Sequence, residues 1–236
     1  MCGIVGAISE KDITSILMEG LRRLEYRGYD SAGIAILQEQ NIKRLRRAGK
    51  VQELQAAINK DPLSGSVGIS HTRWATHGVP TEKNAHPHLS EPDIALVHNG
   101  IIENHDVIKR DLINHGYKFE SDTDTEAVVH RIHYYFQQES DLLKAVNKTV
   151  KELEGAYALA VISIHEPDKM IVARSGCPVV IGLGVDENYV ASDIAALLPV
   201  TNNFMFLEEG DIAVIEQKNI TVFDSAGIET TRKVTE

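Results

Sequence analysis

With 236 residues and a formal net charge of -10, from 24 Lys+Arg against 34 Asp+Glu, the chain is long enough for one large or two small domains with a substantial core. The acidic balance disfavours nucleic acid or an anionic membrane surface as the main partner, and no apolar run reaches the length of a membrane span. Two cysteines, Cys2 and Cys177, make neither a disulfide framework nor a Cys-x-x-Cys metal site. Glu10, Lys11 and Asp12 cut short the first apolar stretch, where an export signal would need a longer one, so a cytoplasmic, reducing setting is expected.

Residues 3–8 read as a short buried strand that starts almost at the terminus. Ile13, Ile16, Leu17, Leu21 and Leu24 then share one helical face, with Asp12 as N-cap and Gly28 as the stop. Residues 32–37 and 41–46 read as paired strands and 51–59 as a helix. The Lys43, Arg44, Arg46 and Arg47 cluster is expected to form a solvated strand face. Residues 67–70 form a strand that runs into the polar, aromatic segment 71–78. Two apolar runs, 94–97 and 101–102, flank Asn99-Gly100, which locally is a hairpin-turn signal. Helices are expected at 106–114, 125–137 and 141–152. After Gly155 the pattern turns to short strands at 157–164, 170–174, 179–182, 188–191, 211–215 and 220–223. Strands, then helices, then strands without strict alternation predict α+β layers rather than a doubly wound sheet. Residues 227–236 are polar and read as the start of a linker.

Cys2 carries the most chemical information. If an aminopeptidase removes Met1, its α-amine, of ordinary pKa about 7.7–8.0, can take the proton of its own thiol, so one residue supplies nucleophile and base. The plainer reading is a small buried residue at a strand start. Asn99 and Gly100 are a tight turn or a pair of oxyanion donors, and the two readings are compatible. Arg73 offers a fork suited to a carboxylate, or belongs to a solvated loop with Trp74 half buried. Thr123 and Glu126 have capping-box spacing. His86, His88, His130 and His133 lack an accompanying carboxylate at metal-ligand spacing, so no metal and no cofactor are expected. Cys177, beside Pro178, reads as a buried structural thiol.

Taken together, residues 1–6, 25–33, 71–78, 98–104 and 123–126 resemble, in order, the N-terminal glutaminase domain of the glutamine:fructose-6-phosphate amidotransferases. The resemblance covers essentially the whole chain. It implies an N-terminal-nucleophile hydrolase fold, a four-layer αββα sandwich of two antiparallel sheets, with residues 1–226 as the domain. It implies hydrolysis of L-glutamine to glutamate and ammonia through a Cys2 thioester. It also implies Asn99 and Gly100 as the oxyanion hole, Arg73 for the α-carboxylate with Thr76 and His77 beside it, and Asp124 for the α-ammonium. Trp74 would close over glutamine and guard the ammonia exit, and Arg27 would support the site in a role left open. The implied partner is a C-terminal sugar-phosphate isomerase domain, with self-assembly of the full-length enzyme left open. Two alternatives stand beside this. One is an amidotransferase of the phosphoribosylpyrophosphate or asparagine-forming type. The other is a non-enzymatic glutamine sensor, which would need Arg73 and Asp124 but no terminal Cys2.

Overall fold

The computed structural model describes residues 2–75 and 78–236; Met1, Thr76 and His77 lie outside the described residues. In chain order the elements are β1 (Gly3–Ser9), α1 (Thr14–Arg23), β2 (Ser31–Gln38), β3 (Asn41–Ala48), α2 (Val51–Lys60), β4 (Val67–Arg73), β5 (His88–Ser90) and β6 (Ile94–Ile102). They continue with α3 (His105–Asn114), α4 (Asp124–Glu139), α5 (Leu142–Val150), β7 (Gly155–Ser163), β8 (Lys169–Ser175), β9 (Val180–Leu183) and β10 (Glu187–Ala191). The last are β11 (Asn203–Phe206), β12 (Ile212–Glu216), β13 (Ile220–Phe223), β14 (Glu229–Thr230) and β15 (Val234–Thr235).

The strands form two sheets, one in the order β15-β11-β9-β10-β1-β4-β2-β3 and the other β14-β13-β12-β8-β7-β6-β5. Every residue of β1 is buried because both of its faces are covered. Ile4 and Ile8 point into the space between the sheets, where they meet Ile69 of β4, Val97 of β6 and Ala158 and Ala160 of β7. Val5 and Ala7 point outward against Leu17 and Leu21 of α1. On the far side Leu96, Leu159 and Val161 pack against Val128 and Ile132 of α4 and Val146 of α5. Helix α3 rests on α4 through Ile108 and Leu112. The result is the expected α-β-β-α stack: each sheet buries one face on the other and one on helices.

The helix starts follow local chemistry. The Asp12 carboxylate accepts the Thr14 N–H at 3.1 Å, one residue outside the cap position held by Ile13. Thr123 Oγ1 accepts the Glu126 N–H at 3.4 Å and caps α4. The reciprocal half of the capping box goes elsewhere: the Glu126 carboxylate takes the N–H groups of Glu120 (2.9 Å) and Ser121 (2.7 Å), tying the approach segment to the helix. These bonds, with His130, hold the Glu126 carboxyl down at about 2 although burial pushes it up.

Several local expectations are corrected. Asn99-Gly100 is not a hairpin turn. β6 runs straight through it, with Asn99 opposite Ala158 and Gly100 opposite Tyr157 on β7. The positive φ that the dipeptide signals is there, +123° at Gly100, but it kinks a strand instead of reversing it. The basic stretch of β3 is not one solvated face. Strand alternation turns Arg44 and Arg46 the other way from Arg47, and they donate to the carbonyls of Pro87 (3.3 Å) and of Lys83 and Ala85 (3.1 and 3.0 Å). Residues 229–235, read as linker, add β14 to β13 and β15 to β11, and Arg232 forms a two-pronged pair at 2.8 Å with the fully buried Asp211.

Candidate active site

Side-chain alternation brings the site together. On β1 the residues facing the other sheet are Ile4 and Ile8, and Cys2 continues that series. On β4 they are Val67 and Ile69, then His71 and Arg73. On β6 they are Ala95 and Val97, then Asn99. Since Gly3 pairs with Thr72, the next step of the same antiparallel register sets Cys2 opposite Arg73. One end of the space between the sheets, apolar elsewhere, thus receives Cys2, His71 and Arg73 from one sheet and Asn99 from the other.

The Cys2 sulfur accepts the Trp74 N–H at 3.3 Å, and the thiol faces the Trp74 carbonyl at 3.6 Å. Burial pushes this thiol above its usual range, against the pull of the Trp74 N–H and of the Arg73 charge. The Cys2 carbonyl accepts from Asn99 Nδ2 at 3.2 Å and from Arg27 Nη1 at 3.4 Å. Arg27 is itself fixed by Asp193 at 2.7 Å, which also takes the Tyr26 hydroxyl at 2.7 Å. Arg73 is 3% exposed and Asp124 4%. Asp124, the first residue of α4, accepts the Ile102 N–H at 2.8 Å, two residues beyond Gly100. Trp74 is 54% exposed, and its six-membered ring lies over Gly28, whose missing Cβ would stand 3.0 Å from it. Asp30 holds the start of this loop, since its carboxylate accepts the Ala75 N–H at 2.6 Å and its own N–H reaches the Arg73 carbonyl at 2.8 Å.

Behind Asn99 lies a set of buried histidines. His71 Nε2 is 2.9 Å from Asn99 Oδ1. His86 reaches His71 and, through Nε2, Thr125 Oγ1 at 2.9 Å, which is also 2.9 Å from His98 Nδ1. His88 bonds Thr123 Oγ1 at 3.0 Å and His130 bonds Ser90 Oγ at 2.8 Å. Burial lowers His71 to about 3, only partly offset by the Asn99 hydrogen bond, and lowers His86 and His88 well below the ordinary value. These rings are therefore neutral near pH 7 and work as hydrogen-bonding groups. Among the described residues no group of three or more His, Cys, Asp or Glu is placed to hold a metal ion. Cys177 is half-buried rather than fully buried. It packs against the inter-sheet core and lies near enough to Cys2 to feel its charge.

Of the residues singled out by sequence, the structure gathers Cys2, Asn99, Arg73, Trp74 and Arg27 directly and sets Asp124 at the end of the strand that carries Gly100. Thr76 and His77 lie outside the described residues. Sequence reasoning missed Asp193, for which there was no signal, and the supporting roles of Asp30, His71, His98 and Thr125, which sit inside the motifs but carry no distinctive spacing. A cavity of about 460 Å³ is lined by Arg44, Arg46, Lys118, Glu120, Glu126 and His130. This cavity shares no residue with the cluster around Cys2.

The architecture is that of the N-terminal-nucleophile amidotransferases. A family model described as glutamine amidotransferase domain matches residues 71–199, and the chain belongs to that family. It is 58% identical over its whole length to a glutamine–fructose-6-phosphate aminotransferase (isomerizing) of Shewanella oneidensis and 56% identical over 99% of its length to that of Pseudomonas putida. It spans 39% and 38% of those relatives. Among solved structures it resembles the glutamine phosphoribosylpyrophosphate amidotransferase of B. subtilis, with a TM-score of 0.81 and 26% identity, covering 95% of this chain and 49% of that one. Among the described residues no helix is long and apolar enough to cross a membrane.

Proposed function

We propose that this domain hydrolyses L-glutamine to L-glutamate and ammonia through a γ-glutamyl thioester on Cys2. In a longer protein like the aminotransferases it matches, the ammonia would pass in the cytosol to a C-terminal sugar-phosphate isomerase domain, for the synthesis of glucosamine 6-phosphate from fructose 6-phosphate. The observation that carries this reading is the pairing of Cys2 with Asn99 Nδ2, an amide donor aimed at the backbone of the nucleophile itself.

With Met1 removed, the Cys2 α-amine takes the thiol proton, and the sulfur attacks the δ-carbonyl carbon of glutamine. With Met1 attached that nitrogen is an amide and has no base function. Asn99 Nδ2 and the Gly100 N–H receive the oxyanion, one such donor being worth about 3 kcal/mol of barrier. Collapse breaks the C–N bond, and the α-ammonium returns its proton to the leaving nitrogen. Water then attacks the thioester and releases glutamate. Arg73 takes the α-carboxylate and Asp124 the α-ammonium of the substrate, and Arg27 holds the Cys2 carbonyl in place. Trp74, exposed and hinged over Gly28, is suited to cover bound glutamine. The catalytic unit would extend beyond residue 226 to take in residues 229–235, whose strands β14 and β15 add to the two sheets.

The test is ammonia release from glutamine by protein shown by mass to lack Met1, compared with Cys2→Ala. The variant should fold, because alanine suits a strand start, and should release no ammonia above background. Activity within about tenfold of the parent, a barrier change of only about 1.4 kcal/mol, would sink the nucleophile assignment.

A further inference from the structure

We infer that His71 is a positioning residue for the oxyanion hole: its Nε2–H holds the Asn99 amide in the orientation that aims Nδ2 at the reacting oxygen. This rests on the reading of Asn99 as an oxyanion donor. A carboxamide has two ends of nearly equal shape and opposite polarity. Flipped, Asn99 would aim a carbonyl oxygen at a developing negative charge, turning attraction into repulsion. Something must therefore choose the end.

The choice can be followed atom by atom. The Cys2 carbonyl can only accept, so the amide end 3.2 Å from it is Nδ2. Oδ1 then faces His71 Nε2 at 2.9 Å, and since Oδ1 can only accept, that nitrogen carries the proton. In a neutral ring His71 Nδ1 is then bare. His86 Nδ1 stands 3.0 Å from His71 Nδ1 and 3.2 Å from its Nε2. Near-equal reach to both nitrogens puts the edge of His86 over the face of His71, with the rings 66° apart and centroids at 4.2 Å. An N–H directed at a ring face is favourable when that ring is neutral. His86 Nδ1 is then the protonated one, which leaves its Nε2 to accept the Thr125 hydroxyl at 2.9 Å. Thr125 has one proton, and its 3.4 Å approach to Asp124 Oδ1 is the longer option. Having given that proton to His86, it accepts from His98 Nδ1 at 2.9 Å.

Donation therefore runs one way, from His98 through Thr125, His86 and His71 to Asn99, and out through Nδ2. Every member is buried, so no bulk water competes to turn the amide. Burial first, then the charges of His98 and Arg73, oppose a charge on His71 and outweigh its hydrogen bonds to Asn99 and the His98 backbone, which favour one. This matters because a doubly protonated His71 would repel the N–H of His86.

The test uses the parent chain lacking Met1, assayed for ammonia release from glutamine. His71→Leu removes the donor, whereas His71→Gln keeps an N–H near the place of Nε2. His71→Leu should lower kcat by roughly 10–100-fold, less than the roughly 100–1000-fold of losing an oxyanion donor outright because Asn99 itself remains, and move KM less than about threefold, since orientation of this amide acts in the transition state. His71→Gln should regain at least about tenfold of that loss. On an Asn99→Ala background His71→Leu should cost less than about threefold more, because its only route to the chemistry is gone. A loss of equal size on both backgrounds, or a folded His71→Gln as poor as His71→Leu, overturns the assignment. Should His71→Leu fail to fold, nitrogen-15 NMR of the histidines in the parent decides: Nε2–H with a bare Nδ1 supports the assignment, and Nδ1–H or an imidazolium at pH 7 overturns it. A parent that releases no ammonia, or an Asn99→Ala variant at the parental rate, sinks the oxyanion reading itself. An active parent with a crippled Asn99→Ala and an unaffected His71→Leu sinks only His71.

Discussion

Arg73 and Asp124 come to the site from different layers, one closing a strand of the first sheet and the other opening a helix that lies on the second. Both are almost completely buried, so little water screens what they bind. Free glutamine offers a carboxylate and an ammonium group; a glutamine residue inside a peptide offers neither. The proposed pair therefore selects the free amino acid. Arg73→Ala should weaken glutamine binding by about 1.5–3 kcal/mol, the worth of a charge-assisted hydrogen bond. Arg73→Lys should recover only part of it, because a point charge cannot replace the guanidinium fork. Comparing KM for glutamine and for its α-carboxamide analogue checks this: the parent should prefer glutamine strongly, and Arg73→Ala should lose most of that preference. An unchanged preference would remove Arg73 from the carboxylate. At this scale the chemically special types, a cysteine beside the start and an arginine amid aromatic and hydroxyl residues, were legible. Asp193 was not, because a carboxylate in a strand-to-turn segment has the same local pattern whether it faces solvent or an arginine distant in sequence.

The elements were legible where burial is periodic. The apolar stripe of α1 and the continuous apolar runs of β1 and β7 were found nearly to their ends. Four strands were missed for a shared reason. β5, β11, β14 and β15 are two to four residues long, too short for alternation to show; β11 and β15 also pair with each other from distant parts of the chain, whereas β5 and β14 add to their neighbours β6 and β13. The Asn99-Gly100 turn failed differently, because the dipeptide specifies a positive φ and not a reversal. Gly155, paired with Ile102 across the same ladder, also has positive φ at +116°, so β6 and β7 both bend where the site lies. A Cβ on Gly100 would stand 2.0 Å from the Ala156 carbonyl oxygen. Gly100→Ala is therefore expected to cost more than about 2 kcal/mol in urea unfolding, strain at positive φ alone accounting for about 1–3, and to remove the ammonia-releasing activity with it. Gly116→Ala is the control: φ there is +89° but no atom lies within 4 Å, so it should cost about 1 kcal/mol and leave activity intact. Equal costs at the two positions would mean that β6 relaxes around the new methyl group.

For the whole molecule, the buried histidines make the fold itself sensitive to mild acid. His71 is lowered to about 3, and His86 and His88 well below 6.5, in each case mainly by burial; His133 is lowered too, for the same reason. The sign follows from which state binds the protons. Between pH 6.5 and about 3 the unfolded chain protonates these rings and the folded chain does not, so the unfolded state holds more protons and is favoured as pH falls. Their contribution is complete above pH 6.5 and is withdrawn below it, well before the Glu126 carboxylate, at about 2 in the fold, begins to protonate there. Glu126 adds a second loss, starting where the unfolded glutamate titrates near pH 4.5 and running down toward 2. Urea unfolding at a series of pH values should thus show stability roughly flat from pH 8 to 7, then falling between pH 6.5 and 5 with a slope approaching about three protons. That is about 4 kcal/mol per pH unit at its steepest. The magnitude is an upper figure, since opening of the site to water lets a ring protonate without global unfolding. His88→Gln, which keeps an amide to meet Thr123 but cannot titrate, should reduce the slope by close to one proton if the variant folds. A fall that begins only below pH 4.5 would mean that the histidine set takes up protons in the native state, and that the space behind Asn99 is open to water.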